Sequence, residues 1–348
     1  MQLKRIRAEK EMDAKITKNR LAKLLTYDWI KIIAVVAAFI LGWSVILTST
    51  RAHIRPSQRF TVMSYYCNDE LGSDFSSLFN NARHKDGVFS YETVEIDPID
   101  LSKTETNAVV DYLESRFATA QGDIMFAPAI PYTGTDADGD LSFERTFVEN
   151  FFNRFYDNVY KLEEGVANEY FGGLETYLNG FYDNGYLDEN SLNETKVERN
   201  FRSRINEYND RRYRKESLIK AGLPSEIERI KKYRDALVEF NSYLDAGVVE
   251  IVTMNIKDDK GNVLWTGKTA INLCPDESKM GNLEKYISYT TTVEYTDEET
   301  GETLTKNDKT AKDMYAMFIY SEKLEPGYQY ESLLFLNYLI KNSLTVVI

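Results

Sequence analysis

The sequence predicts an α/β protein carried on one N-terminal transmembrane helix, with a large helical block in the middle of its folded part. Three observations predict it. Residues 29–50 (WIKIIAVVAAFILGWSVILTST) are one long apolar run, residues 59–127 alternate strand and helix patterns, and residues 141–244 keep helical periodicity almost throughout.

From Ile32 to Leu47 no residue is charged, and Ser44 is the only polar side chain. A helix over this 22-residue run is about 33 Å long, enough for a hydrocarbon core of about 30 Å. Lys31 can snorkel toward headgroups, with Tyr27 and Trp29 as interfacial aromatics at the same end. The Ser-Thr-Arg-Ala stretch at 49–52 does not supply the small-x-small site that a cleaved signal needs. Residues 1–28 carry eight Lys and Arg against four acids, so the positive-inside rule keeps this tail in the cytoplasm. The expected location is the cell membrane, single-pass, with residues 29–50 in the lipid bilayer and the C-terminal domain extracellular. The tail also spaces Ile6, Ile16, Leu21, Leu24 and Leu25 so that it can lie along anionic lipid; setting topology is the simpler role.

The net charge of -13 is unevenly placed, because from Arg51 onward 33 basic residues face 51 acidic ones. A domain this acidic repels phosphate backbones, which removes nucleic acid as a partner. Hydrophobic residues at 43% and 24 tyrosines are enough to fill a core, so the chain is not disordered. Cys67 and Cys274 admit either one bridge or two separate buried thiols.

Residues 51–58 read as a linker. A strand follows at 59–66 (RFTVMSYY), then a helix over 69–84, a strand over 88–96 ended by Asp97-Pro98, a helix over 104–120 capped by Gly122, and a short apolar strand at 123–127. This order predicts a parallel sheet with crossover helices. In the helical block, Phe143, Phe147, Phe151, Phe152, Phe155 and Tyr156 form an aromatic stripe, read as core. Gly172-Gly173 and Asn184-Gly185 read as turns. Gly222-Leu223-Pro224-Ser225 reads as a helix stop followed by a new N-cap, with Ser225 and Glu228 as a capping box. Strands return at 248–256 and 262–271 around the turn 257–261, then at 286–295 and 302–304 around 297–301. A buried strand at 314–320 and an amphipathic helix at 328–342 close the chain.

Catalytic chemistry finds little support. The two histidines, His53 in the linker and His84 at a polar helix end, do not make a triad or a metal site, and no P-loop, GxSxG or HExxH occurs. Asp136, Asp138 and Asp140 have the spacing of a calcium loop, but Leu141 stands at its sixth position and Phe147 at its twelfth, so it fails as an EF-hand. No catalytic residue, metal ligand or cofactor is assigned. Ligands of open α/β sheets collect at the carboxyl ends of strands, which points to Tyr65, Tyr66 and Asn68 after the first strand and to residues 129–132, above all Tyr132, after the third. Trp265 is a further stacking candidate. For each of these side chains, packing in the core or rim is the competing role.

Three segments carry a resemblance: RFTVMSYYCND at 59–69, LESRFATAQGDIMFAP at 113–128, and MFIYSEKLEPGYQYESLLFLNYLIK at 317–341. Together they resemble the extracellular solute-binding proteins of the type II periplasmic-binding fold, which feed sugars and similar solutes to ABC importers. The resemblance implies a first strand, a buried third strand after a Gly-Asp turn, and a late strand returning to the same lobe. It implies an α/β lobe at 59–135 rejoined by 310–348, with 136–309 forming a second lobe. It further implies a small polar solute, such as a carbohydrate, and an ABC transporter permease or other envelope protein as partner. The alternative is a non-catalytic structural or protein-interaction subunit of the envelope without a solute cleft. Unlike the lipidated or signal-cleaved members of that family, this chain keeps its membrane helix.

Overall fold

In the computed structural model, the described residues are 29–50, 59–65, 73–90, 95–100, 106–119, 121–135, 141–163, 169–257, 262–296, 303–320 and 326–345. The basic tail, the linker 51–58, Tyr66, Cys67, Asn68 and the acidic loop 136–140 lie outside them. The chain divides into two units, residues 1–53 and 54–348. In the first, helix α1 (Trp29–Thr50) is long and apolar enough to cross a membrane, and its window Trp29–Leu47 has a mean hydropathy of 2.5 and no buried share.

The second unit is mixed α/β. Its first part runs β1 (Arg59–Ser64), α2 (Ser73–His84), β2 (Glu95–Asp100), α3 (Thr106–Ala118) and β3 (Ile124–Pro128), with β1 parallel to both β2 and β3. A hairpin, β4 (Pro131–Thr135) and β5 (Leu141–Thr146), leads into α4 (Phe147–Phe155). Helices α5 (Phe171–Asn179), α6 (Glu194–Glu207) and α7 (Glu216–Asp245) follow. Then come β6 (Glu250–Lys257), β7 (Val263–Asn272), the short α8 (Glu277–Met280), the hairpin β8 (Tyr289–Thr296) and β9 (Thr303–Thr310), β10 (Met314–Phe318) and α9 (Glu331–Ser343). The main sheet has six strands in the order β2-β1-β3-β10-β7-β6, with β10 antiparallel to β3 and β7. Strands β6 and β7 come from 136–309, the stretch expected as a second lobe, and complete the sheet of the first.

Both faces of the sheet are covered, and the two-residue period of its strands shows it. Phe60 and Val62, Ile124 and Phe126, and Ala316 and Phe318 enter one core with residues of α2, α5, α7 and α9. The alternate residues, Met63, Met125, Ala127 and Met317, enter the opposite core with Leu113 of α3 and the phenylalanines of α4. The aromatic stripe read as core is core: Phe147, Phe151, Phe152 and Phe155 are buried.

One turn joins these layers. Asp123, 2% exposed, accepts the Thr61 backbone N–H on Oδ2 at 2.8 Å. Its carbonyl accepts the backbone N–H of Ile319 at 3.0 Å and the Ser332 hydroxyl at 3.4 Å. Gly122 before it has φ +138, and a Cβ there would stand 2.9 Å from Met63 Cε and 3.1 Å from Ile319 Cγ2. The positive φ calls for glycine, and a side chain there would also have to displace the tip of Met63.

Four sequence expectations are corrected. The second strand lies at 95–100, not 88–96, and Pro98 sits inside it; β2 is an edge strand, the place in a sheet where proline is tolerated. Phe89 owes its apolar character to packing on Phe60 and Phe335, not to a strand. Residues 141–146 are a strand, and the helix begins only at Phe147, with Thr146 as its N-cap and Glu149 closing a capping box. Gly172 and Gly173 lie inside α5.

The helix stop at 222–225 is the fourth, since α7 runs through Pro224 for 30 residues. Gly222 serves close approach: a Cβ there would lie 2.5 Å from Tyr213 Cε1. Just beyond Pro224, the buried Glu226 accepts from Arg204 Nη2 of α6 at 2.7 Å and from Arg229 Nε at 3.1 Å. Burial works against the Glu226 carboxylate, yet Arg229 and Arg204 hold its pKa below the ordinary value. These bonds and the buried row Ile230, Tyr233, Leu237, Phe240 outweigh the one helical bond that proline removes.

Replacing Asp123 tests the turn. Asp123→Ala strands the buried Thr61 N–H and is expected to cost about 3 kcal/mol, with Asp123→Asn costing roughly half because one acceptor oxygen remains. Urea unfolding of the full-length chain in detergent, followed by Trp265 fluorescence, measures both.

Candidate functional site

The parallel strands β1 and β3 end side by side, and Tyr65 continues β1 there by donating its N–H to Phe126 O at 2.7 Å. Its ring is 7% exposed and faces inward, 5.5 Å from Phe151 and 6.3 Å from Phe147 of α4. Its hydroxyl accepts from Asn150 Nδ2 at 3.1 Å. Side chains of α4 therefore fill the strand-end position over Tyr65. Tyr132 lies in β4, opposite Arg145 of β5.

Trp265 lies on β7, half-buried, with its ring 5.2 Å from Tyr156 and 5.6 Å from Phe152. Tyr65 and Trp265 thus sit against neighbouring residues of α4, in one apolar cluster. Beside Trp265 is a residue that the sequence reading passed over. Lys161, 3% exposed, holds its Nζ 3.6 Å from the Tyr156 ring centroid and 5.9 Å from that of Trp265. The ammonium donates to the carbonyls of Tyr156 and Val159 and so caps the end of α4 and its following 3₁₀ turn. Burial lowers its pKa to about 8, with Asp157 opposing.

A recess of about 560 Å³ lies elsewhere on the same rim of the sheet. It is bordered where β7 ends and β10 begins, beside the carboxyl end of β3: Met314 pairs with Pro128, Ala129 N–H donates to Asp313 O, and Asp313 N–H donates to Cys274 O. Its floor is the buried Cys274, Met280 and Ala311. One wall is α8 and the turn after it, carrying Glu277 and Glu284; the other is one face of the β8–β9 hairpin, with Tyr289 opposite Thr310 and Thr291 opposite Asp308. Lys309 and Lys312 complete the border. The Thr310 hydroxyl accepts from Lys312 N at 3.0 Å and donates to Glu277 Oε1 at 2.9 Å, while Tyr289 Oη donates to Lys312 O at 2.9 Å.

The volume falls in the range of about 300–1,000 Å³ typical of small-molecule sites. The sequence offered little signal for it, because Glu277, Asp308 and Lys312 read one by one as solvated turn and hairpin residues. A smaller recess of about 230 Å³ lies between α7 and α9, bordered by Lys232, Glu239 and Asn337. Among the described residues, no group of three or more His, Cys, Asp or Glu side chains is arranged to hold a metal ion.

The Cys274 thiol is free, and burial, helped by Glu277 and Asp313, pushes it up to about 12. It stays protonated at neutral pH and is no nucleophile. Comparison with protein-family models, curated proteins and solved structures finds no match for this chain.

Two measurements check this chemistry. Cys274 is expected to resist iodoacetamide at pH 8 in the folded chain and to react once unfolded, read by mass spectrometry. For Lys161 the folded chain releases the proton near pH 8 and the unfolded chain near 10.5, so the unfolded state binds more protons between them. Stability relative to Lys161→Met should therefore rise across that window and be flat below it, measured as urea midpoints.

Proposed function

We propose that this protein is a membrane-anchored, extracytoplasmic solute-binding-protein-like module, non-catalytic, acting beside an ABC-type transporter. The observation that carries the reading is the position of the 560 Å³ recess, on the rim where β1 and β3 end. Ligand sites of open α/β sheets gather on that rim. The three segments that resemble the solute-binding family supply β1, β3, and the last two residues of β10 with most of α9; β1, β3 and β10 are adjacent in the sheet. Helix α1 holds the module to the bilayer, and the basic tail before it places the folded part outside.

One observation favours a second reading, a protein-interaction subunit of the envelope with no solute cleft. The strand-end position at Tyr65 is filled by Phe147, Asn150 and Phe151, and the β8–β9 hairpin exposes nearly all of β9.

Thermal-shift measurement on the full-length chain in detergent, against a panel of sugars, amino acids and short peptides, separates the two. A solute at a hundred times its Kd stabilises by about 2.7 kcal/mol, a shift of several degrees. No shift with any saturating solute, together with co-purification of an envelope partner, would favour the second reading.

A further inference from the structure

The recess under the β8–β9 hairpin is chemically lopsided in a way that selects among solutes. Its floor of Cys274, Met280 and Ala311 is apolar and buried, whereas its border carries charges of both signs. Glu277 and Lys312 form no ion pair with each other or with any other described residue, so neither charge is already spent on a protein partner. Both are nonetheless positioned. The single Thr310 hydroxyl holds the Glu277 carboxylate on one side and the Lys312 backbone on the other, and Tyr289 fixes Lys312 from its carbonyl.

From this arrangement we infer that the recess binds a zwitterion with an apolar middle, an α-amino acid or short peptide, with its ammonium on Glu277 and its carboxylate on Lys312. The inference rests on the solute-binding reading and narrows it from polar solutes in general, carbohydrate included. A neutral sugar entering here displaces water from two unpaired charges and returns no opposite charge to either. A zwitterion answers both, and its side chains lie on the apolar floor. Glu284 adds negative charge on the α8 side with Glu277, while on the hairpin side Asp308 is paired with Lys306 at 3.3 Å and Lys309 adds positive charge. Thr310 is a positioning residue, which orients the two anchors without supplying a charge.

The test uses the full-length chain in detergent and the dipeptide L-alanyl-L-leucine, with its N-acetyl and C-amide forms and maltose for comparison. The free dipeptide should bind, and blocking either end should weaken it about fivefold at low salt, less at high salt, as solvent-accessible ion pairs require. Glu277→Gln should erase the difference between free and acetylated dipeptide and keep the sensitivity to amidation. Lys312→Met should do the reverse, and Thr310→Val should weaken the free dipeptide while both charges remain. Equal binding of free and blocked forms, or unchanged discrimination in the two charge variants, overturns the inference. Binding of maltose without the dipeptide overturns it and leaves the solute-binding reading standing; silence from every solute takes that reading down as well.

Discussion

The hydrogen bonds of Asp123 are the constraint on which the rest of the folded unit depends. A mixed sheet covered on both faces has no water to satisfy a mispaired backbone group, so its strands must start in register. The Asp123 carboxylate fixes the start of β3 against β1, and its carbonyl catches the end of β10 and the first turn of α9. Four elements distant in sequence thus meet at one residue, and the glycine before it takes the positive φ that the turn requires. Once β1, β3 and β10 are locked, β7 and β6 add on the far side of β10.

That lock also decides where a site can be. It brings the carboxyl ends of β1 and β3 to one rim, and the chain treats two stretches of the rim differently. Over Tyr65 it lays α4, and Phe147, Phe151 and Asn150 close the position with ring contacts and one hydrogen bond. Beyond β10 it inserts α8 and the β8–β9 hairpin between β7 and β10, and these stand apart far enough to leave a recess. Rings that can bury 150 Å² or more each fill a gap completely, whereas the charged and hydroxylated side chains of the hairpin stay hydrated and leave one.

Much of this was legible beforehand. Met125 and Phe126 face opposite cores, as the unbroken apolar run of β3 announces, and Met63 and Val62 of β1 do the same. The phenylalanines of α4 declared their burial by spacing. Misreadings arose where a local signal met a tertiary demand. Pro98 and Pro224 mark breaks in isolation, but an edge strand tolerates the first and the Glu226–Arg204 contact carries the helix past the second. Val88 and Phe89 look like strand because they are apolar, and are loop because Phe335 and Phe60 receive the ring.

The sequence by itself determined the apolar helix of 29–50, the acidic folded part and the alternation that puts strands between helices, because these follow from composition and period along one short stretch of chain. Only the tertiary structure decided that Tyr65 and Trp265 belong to the packing around α4, and that Glu277, Thr310 and Lys312 border one recess. The reason is distance. Residues 277 and 312 are brought together by the pairing of β8 with β9 and of β10 with β7, and no periodicity within either segment encodes which strand its neighbour will be.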